Sequence, residues 1–276
     1  MTIDILMSTY NGAQFLRAQV DSILSQDHTD IRLLIRDDGS VDSTHEILSE
    51  YEDRDARVKV IRDDLRHLGA FPSFMELVGR SEAPFFMFAD QDDIWLPDKV
   101  AITLDKMASM IDLYGPDVPL VIFTDMSVVD EELNIIAQSL WVYQGYDPAI
   151  CNNWKMLLAQ NFVLGCTLMG NAKVRSMSLP FELPELAHDH WVALHAAKYG
   201  KIDFVPRQTM LYRQHHRNYS GANEFGLRYS LKRFPGLFPR IGEFMRSSRF
   251  FGDVSTLRLV FYKIWLNLRR FQKVRR

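Results

Sequence analysis

Cysteine is scarce in this chain of 276 residues, which holds only Cys151 and Cys166. Two thiols are too few for a disulfide framework, and this predicts a reducing compartment. No segment reaches the roughly 18 consecutive apolar residues that a membrane-spanning helix needs. Residues 1–4 carry no basic stretch of the kind that opens a secretory signal. These absences, with a composition that is 47% hydrophobic and 24% charged, predict a globular cytoplasmic protein.

Two common nucleotide-binding motifs are also missing. The chain has no Walker A phosphate loop, and no Gly-x-Gly-x-x-Gly follows its first apolar run. The sequence therefore argues against an ATPase and against a dinucleotide-dependent dehydrogenase.

Charge is unevenly divided along the chain. Residues 1–227 hold 33 Asp and Glu against 19 Lys and Arg, a net charge of −14. Residues 228–276 hold 13 Lys and Arg, with Glu243 and Asp253 as the acids, a net charge of +11. Such an asymmetry predicts that the basic end has a partner of its own.

Short apolar runs alternate with amphipathic segments over the first 125 residues. The runs predict strands at 3–7, 31–36, 58–61, 85–89 and 120–124, and the segments predict helices at 13–26, 43–51, 70–78 and 97–111. Pro97 suits a first helical turn, where its missing N–H costs nothing. The alternation predicts an α/β fold with a mostly parallel sheet between helices. Residues 126–227 lack this rhythm and are expected to form a second lobe that completes a cleft.

The strand predicted at 85–89 leads directly into the carboxylates of Asp90, Asp92 and Asp93. Unpaired charges cost several kcal/mol to bury, so we expect them beyond the carboxyl edge of the sheet, where open α/β sheets bind ligands. Oxygen ligands of this kind suit Mg2+ or Mn2+. The alternative is a solvated acidic turn before a helix, because aspartate also caps helices.

Polar residues follow the first two predicted strands as well. Ser8-Thr9-Tyr10-Asn11-Gly12 comes after the first strand, and Asp37-Asp38-Gly39-Ser40 comes after the second. Asn-Gly and Asp-Gly are ordinary turn sequences, so each motif alone has a simple structural explanation. Three polar strand ends at one sheet edge instead predict a crevice for a nucleotide and a metal ion.

These motifs resemble those of the inverting family 2 glycosyltransferases, which have the GT-A fold, a Rossmann-like sheet flanked by helices. The matching stretches are the two motifs above, Asp90-Gln91-Asp92-Asp93-Ile94-Trp95, Pro97-Asp98-Lys99, Asn161-Phe162-Val163-Leu164-Gly165-Cys166-Thr167, His188-Asp189-His190-Trp191, Tyr212-Arg213-Gln214-His215 and Asn218. Their order and spacing are specific, and they cover about residues 1–222. The later stretches are similar to the rhamnosyltransferase-type branch, which builds bacterial O-antigen and related surface polysaccharides.

The resemblance implies a donor site with named residues. It implies that Asp38 binds the nucleobase, with Ser8 and Tyr10 beside it. It places Asp90 near both the ribose and the metal ion. The donor it implies is dTDP-L-rhamnose, and the acceptor is a growing glycan.

The resemblance also implies the metal ligands and the base. Asp92 and His215, with Asp90, would hold Mg2+ or Mn2+, and Asp189 would be the catalytic base. Contacts with the diphosphate or the acceptor are implied for Arg213, Trp191 and Trp95. Asp93 is expected to cap the helix near Pro97. The chain departs from the family at His190, where an aromatic residue is usual, and at residues 67–71, which lack an arginine found in many relatives.

The implied chemistry is a single displacement with inversion. A metal ion acting as a Lewis acid stabilises the charge on a diphosphate leaving group. One carboxylate then suffices as general base for the acceptor hydroxyl, and no carboxylate nucleophile is needed. The alternatives are a UDP- or GDP-sugar donor, a non-catalytic scaffold, or a metal-dependent phosphohydrolase. The last would use a cluster made of His188, Asp189, His190, His195, His215 and His216.

Residues 255–276 predict an amphipathic helix. Its apolar face comprises Leu257, Val260, Phe261, Ile264, Trp265, Leu268 and Phe271, and basic residues lie around the rest at Arg258, Lys263, Arg269, Arg270 and Lys273. This pattern predicts an in-plane helix at the inner face of the cell membrane, where a lipid-linked acceptor would lie. The alternative is packing on the protein's own core or on a partner subunit. No nucleic-acid-binding fold is indicated. The predicted parts are thus a nucleotide-sugar lobe (1–125), an acceptor lobe (126–227) and a basic tail (228–276).

Overall fold

The computed structural model describes residues 1–183, 185–216, 218, 246–252 and 254–274. The strands are β1 (Ile3–Thr9), β2 (Ile31–Asp37), β3 (Val58–Ile61), β4 (Phe85–Ala89), β5 (Ile94–Trp95), β6 (Leu120–Val129), β7 (Ile135–Ala137), β8 (Leu168–Asn171) and β9 (Lys201–Arg213). The helices are α1 (Ala13–Leu24), α2 (Thr44–Arg54), α3 (Ala70–Arg80), α4 (Lys99–Tyr114), α5 (Leu140–Gln144), α6 (Trp154–Ala159), α7 (Ala172–Met177), α8 (His188–Tyr199) and α9 (Thr256–Val274).

These strands form one mixed sheet in the order β3-β2-β1-β4-β8-β6-β9-β5, with β7 paired to β6. The β3-β2-β1-β4 half is parallel, and so is the long β6–β9 pair. Between these two parallel units lies β8, which is antiparallel to both β4 and β6. The predicted α/β class, with a mostly parallel sheet flanked by helices, is confirmed.

Strand register brings the polar strand ends together. Ile3 lies opposite Ile31 on one side of β1 and opposite Phe85 on the other. Because β1, β2 and β4 run parallel and in step, the residues that follow each strand leave the sheet at the same edge.

Two boundaries differ from the sequence prediction. Helix α4 begins at Lys99 with Asp98 at its N-cap position, so Pro97 precedes the helix instead of starting it. Strand β6 runs from Leu120 to Val129 and crosses the predicted division at 125/126. The two predicted lobes therefore share one sheet, and their division remains a proposal about roles. Residues 126–216 are also more regular than predicted, since they contribute β7, β8 and β9.

The sheet separates two hydrophobic clusters. Along β1, Ile5 and Met7 face the cluster under α1, α2 and α4, whereas Leu6 faces the cluster under α3, α6 and α8. Leu259 and Leu266 of α9 belong to the second cluster, so the C-terminal helix packs on the body of the protein. None of the helices in the described ranges is long and apolar enough to cross a membrane.

Candidate active site at the carboxyl edge of the sheet

The side chain of Gln91 joins the loop after β4 to the loop after β1. Its Oε1 accepts a hydrogen bond from Tyr10 N at 2.9 Å, and its Nε2 donates to Tyr10 O at 3.1 Å. A Cβ on Gly12 would lie 2.2 Å from the same Oε1, so only glycine leaves room for this clasp. The clasp holds the half-exposed Tyr10 beside the acid cluster. Gln91 belongs to the stretch from Asp90 to Trp95, but a glutamine at this position does not by itself predict the clasp.

Asp38 is buried, and its carboxylate accepts hydrogen bonds from three donors. Its Oδ1 accepts hydrogen bonds from Arg36 NH1 at 2.8 Å and from Leu68 N at 2.9 Å, and its Oδ2 accepts from Gly69 N at 2.8 Å. Arg36 is itself fully buried and also pairs with Asp63. The carboxylate is thus fixed in place, which is what a residue that reads a nucleobase needs.

Ser8 lies close to this network without touching Asp38 directly. Its hydroxyl donates to Ser73 Oγ at 2.7 Å, and Ser73 Oγ accepts from Arg36 NH1 at 2.9 Å. Sequence reasoning missed Arg36 and Ser73, because a single arginine inside an apolar strand carries no motif. The signal in the sequence is a charged residue inside an apolar strand. Such a residue is buried, and a buried charge needs a partner.

Three aspartates, Asp90, Asp92 and Asp93, crowd the loop after β4. Burial and the charges of Asp92 and Asp189 raise the pKa of Asp90 to about 7. Asp92 Oδ2 lies 2.7 Å from His215 Nε2, so the segment after β9 reaches the loop after β4 as predicted. The ring of Phe15 lies 4.8 Å from the His215 ring and backs it. The structure therefore pairs Asp92 with His215, whereas Asp90 groups with Asp93 and Cys166.

Asp93 is not a helix cap. It is fully buried, its Oδ1 accepts a hydrogen bond from Arg213 N at 3.1 Å, and α4 begins only at Lys99. Burial and the neighbouring Asp92 and Asp90 charges raise the pKa of Asp93 well above its usual range. Its Oδ2 has no hydrogen-bond partner.

These residues fit a hard divalent cation. Asp90, Asp93 and Cys166 offer ligand atoms within 4.8 Å of one another, the one such group in the described part of the chain. Burial raises the pKa of the Cys166 thiol well above its usual range, so it stays protonated and is a poor ligand for Mg2+ or Mn2+. Asp90 and Asp93, whose pKa values are raised by burial and by neighbouring carboxylates, form with the unpartnered Asp93 Oδ2 a donor set that a cation would stabilise.

Asp189 lies in the first turn of α8 and is nearly buried. Its Oδ2 accepts from Gly165 N at 2.8 Å, and its Oδ1 accepts from Asn161 Nδ2 at 3.0 Å. Burial raises its pKa to about 6, although the hydrogen bonds from Gly165, His190 and Asn161 oppose this shift. Its charge also raises the pKa of Asp90, and the thiol of Cys166, the residue after Gly165, lies within 4.8 Å of the Asp90 carboxylate. A carboxylate with this pKa is ionised at neutral pH yet basic enough to accept a proton.

The histidines of α8 do not converge on a metal. His190 Nε2 is 2.8 Å from Leu157 O, and His195 Nδ1 is 2.8 Å from Trp191 O. His188 stacks on Phe74 with ring centroids 4.1 Å apart, and burial lowers its pKa to about 3. The geometry therefore argues against the alternative phosphohydrolase site.

Three predicted contacts of the diphosphate or acceptor lie in the interior instead. Trp191 is 1% exposed and donates from Nε1 to Ser178 O, and Trp95 is 2% exposed beneath Lys99. Neither ring has surface to offer a ligand. Arg213 is 5% exposed, and its Nε donates to Asp92 O at 2.9 Å while its NH1 bonds Glu131 O. Arg213 thus positions the acid loop.

Residues 4–125, less than half of the chain, match the family model for Glycosyl transferase family 2. The matched region contains Asp38, Asp90 and Asp92, whereas Asp189 and His215 lie beyond it.

Curated relatives match stretches of different length in this chain. The uncharacterized glycosyltransferase alr2836 of Nostoc sp. is 32% identical over 103 residues, 36% of this chain and 31% of that protein. The UDP-Glc:alpha-D-GlcNAc-diphosphoundecaprenol beta-1,3-glucosyltransferase WfgD of Escherichia coli is 29% identical over 105 residues, 38% of this chain and 40% of that protein. The dTDP-rhamnosyl transferase RfbG of Shigella flexneri is 25% identical over 226 residues, 79% of this chain and 74% of that protein. The chain therefore covers less than half of alr2836 and WfgD.

Solved glycosyltransferase structures share the fold over nearly the whole chain. S. aureus TarS 1-349 in complex with UDP-GlcNAc superposes with a TM-score of 0.61 at 17% identity, over 99% of this chain and 73% of that one. The mannosyltransferase PcManGT from Pyrobaculum calidifontis, in complex with GDP-Man and Mn2+, gives a TM-score of 0.61 at 13% identity, over 99% and 71%. The predicted GT-A fold is confirmed.

Proposed function

We propose that this protein is an inverting glycosyltransferase that moves a sugar from a nucleoside diphosphate to a hydroxyl of a glycan. The observation that carries the proposal is that one turn joins the two carboxylates. Gly165 N donates to Asp189 Oδ2, and the thiol of the next residue, Cys166, lies within 4.8 Å of the Asp90 carboxylate. A buried general base near an acid cluster is what a single displacement requires.

Asp189 acts as the base in this proposal. It removes the proton of the acceptor hydroxyl as that oxygen bonds to the anomeric carbon. The bond from the anomeric carbon to the diphosphate oxygen breaks, and the nucleoside diphosphate leaves with the electron pair. Asn161 Nδ2 donates to one oxygen of this carboxylate and Gly165 N donates to the other, so the two groups orient it.

Asp90 and Asp92, with His215, would hold Mg2+ or Mn2+. Asp93, whose Oδ2 has no hydrogen-bond partner, offers a further ligand atom within 4.8 Å of that of Asp90. The cation supplies Lewis-acid stabilisation of the departing diphosphate. The Mn2+ in PcManGT supports a cation in this fold.

The geometry around Asp38 favours a pyrimidine nucleotide. A carboxylate has about four acceptor positions, and Arg36, Leu68 and Gly69 occupy three of them. One position is left, on Oδ2. It matches the single imide N–H of thymine or uracil, whereas guanine presents two adjacent donor groups. This count supports a dTDP or UDP donor over a GDP donor.

Within that class we favour dTDP-L-rhamnose. The support is the similarity to RfbG, which extends over 79% of the chain and so includes the region of the base. The acceptor in this proposal is a lipid-linked glycan of a bacterial surface polysaccharide, assembled at the cytoplasmic face of the cell membrane. The support is the lipid diphosphate acceptor in the name of WfgD.

Ligand-induced stabilisation tests the donor class directly. The unfolding temperature of the full chain is measured with dTDP, UDP or GDP, each with Mg2+ or Mn2+. A ligand at 100 times its Kd stabilises the native state by about 2.7 kcal/mol. We expect dTDP and UDP to raise the unfolding temperature more than GDP. A larger rise of the unfolding temperature with GDP would refute the assignment of Asp38 to a pyrimidine base. No rise with any of the three nucleotides would refute the proposed function.

The matched variant is Asp38→Asn. It keeps the size of the side chain but places an amide where the last acceptor position lies. We expect it to lose the pyrimidine preference and to raise the KM for dTDP-rhamnose. An unchanged ranking of the three nucleotides in this variant would remove Asp38 from the nucleobase site.

A further inference from the structure

Helix α9 is anchored to the body of the protein by a buried arginine. Arg270 is 6% exposed, and it donates from Nε to Gln144 O at 2.6 Å and from NH2 to Gln144 Oε1 at 2.8 Å. Its guanidinium lies 4.8 Å from the centre of the Tyr146 ring. Leu259 and Leu266 are buried on the same side of the helix. This inward face therefore combines two leucines with a cation.

The opposite side of α9 is an apolar stripe made of Leu257, Phe261, Ile264 and Leu268. These side chains are 83%, 61%, 52% and 58% exposed. Their spacings of four, three and four residues place them on one line along the helix, about 17 Å long at 1.5 Å per residue. A helix of a water-soluble protein normally buries such a stripe, but α9 exposes it and buries Arg270 with Leu259 and Leu266 instead.

The surroundings of the stripe are basic and aromatic. Residues 256–274 contain five Lys and Arg and no acid, within an end of the chain that carries a net charge of +11. Arg258 is exposed next to the stripe, and half-buried Trp265 lies at its border with Arg269 4.8 Å from its ring. Tryptophan at the border of an apolar face, with cations around it, is typical of helices that lie in an anionic lipid interface.

We propose that the stripe of α9 inserts into the headgroup region of an anionic lipid bilayer while its inward face stays docked on the protein. A second copy of the chain is a poorer occupant, because pairing two stripes would bring two helices without acids face to face. An anionic bilayer instead complements both parts of this surface: its apolar region suits the stripe, and its negative headgroups suit the cations beside it.

The docking contacts tie this membrane helix to the proposed base. Lys263 Nζ donates to Gln160 Oε1 at 3.3 Å, and the next residue, Asn161, holds Asp189. A bilayer that fixes the orientation of α9 also fixes the crevice relative to the lipid surface. Only this last step rests on the proposed glycosyltransferase function, since lipid binding by the stripe does not depend on turnover.

Vesicle flotation of the full-length protein tests the proposal. The probes are vesicles of phosphatidylcholine with phosphatidylglycerol and vesicles of phosphatidylcholine alone. The test variant is Phe261→Gln with Ile264→Gln, and the matched control is Ile135→Gln with Ile136→Gln, two residues that are each 48% exposed on β7. We expect wild type and control to float with the anionic vesicles, and the stripe variant to float at least about 10-fold less.

Each other outcome overturns the proposal. Equal flotation of the stripe variant and the control shows that the stripe does not bind lipid. Failure of the wild type to float does the same. A wild-type dimer that becomes monomeric in the stripe variant, with no flotation of either, assigns the stripe to a second copy. Circular dichroism and the unfolding temperature confirm that both variants are folded, because all four substitutions lie on the surface.

Discussion

His215 Nε2 lies 2.7 Å from Asp92 Oδ2, which joins the segment after β9 to the acid loop after β4. Arg213 reinforces the junction, because its N–H bonds Asp93 Oδ1 and its Nε bonds the Asp92 carbonyl. The acid loop, inside the region that matches the family 2 model, is therefore shaped by residues from outside that region. The Asp92 carboxylate would therefore contact both a metal ion and His215, which follows β9.

Asp92→Ala should abolish cation-dependent donor turnover and leave the fold intact. The variant removes a carboxylate ligand, and loss of several kcal/mol of Lewis-acid stabilisation corresponds to at least about 100-fold in rate. Turnover is measured across a titration of Mg2+ and Mn2+. Asp105→Ala, on the exposed side of α4, is the control and should match wild type. Normal turnover and cation response in Asp92→Ala would show that the cation is held elsewhere.

Asp189→Asn should stop transfer while donor binding persists. The amide keeps the shape of the side chain and can still accept from Gly165 N, but it cannot take the proton of the acceptor. General-base catalysis typically contributes about 10²–10⁴-fold, and we expect a loss in that range. Nucleotide binding is followed by thermal shift and transfer by product formation. A rate within a few-fold of wild type would mean that another group is the base.

The pH dependence of the reaction should follow Asp189. Burial raises its pKa to about 6, and the base works only when ionised. At saturating cation, the rate should be constant above that pKa and fall about tenfold per pH unit below it. Because the hydrogen bond from Asn161 lowers this pKa, Asn161→Ala should move the acidic limb to higher pH. Asn134→Ala, on an exposed turn, should leave the limb where it is.

The sequence predicts the parallel half of the fold well, because β1–β4 are short apolar runs whose local pattern is decisive. It does not predict β9, in which exposed and buried residues follow no strict alternation. This strand is specified by pairing with β6 and β5, which are distant in sequence. Tertiary contacts therefore decide the half of the sheet that completes the site.

The same contrast applies within the site. Asp38, Asp92 and Asp189 stand in motifs and can be identified from the sequence. The groups that hold them, such as Arg36, act through side-chain contacts that residue type alone does not indicate. For α9, periodicity predicts the helix and its stripe, but the burial of Arg270 follows from the partner groups on α5.

Gly12→Ala should weaken donor binding without unfolding the protein. The added Cβ would lie 2.2 Å from Gln91 Oε1, so the glutamine must move and release both of its hydrogen bonds to Tyr10. Loss of these bonds costs about 1–3 kcal/mol, and we expect the donor KM to rise about 10-fold with little change in kcat.

Gly79→Ala on α3 is the matched control, since a Cβ there meets nothing within 4 Å. It should raise the free energy of unfolding by about 0.5–1 kcal/mol, because alanine favours helix, and leave the donor KM unchanged. Gln91→Ala should reproduce the KM of Gly12→Ala. A wild-type donor KM in both Gly12→Ala and Gln91→Ala would show that the clasp between the two loops does not shape the donor site.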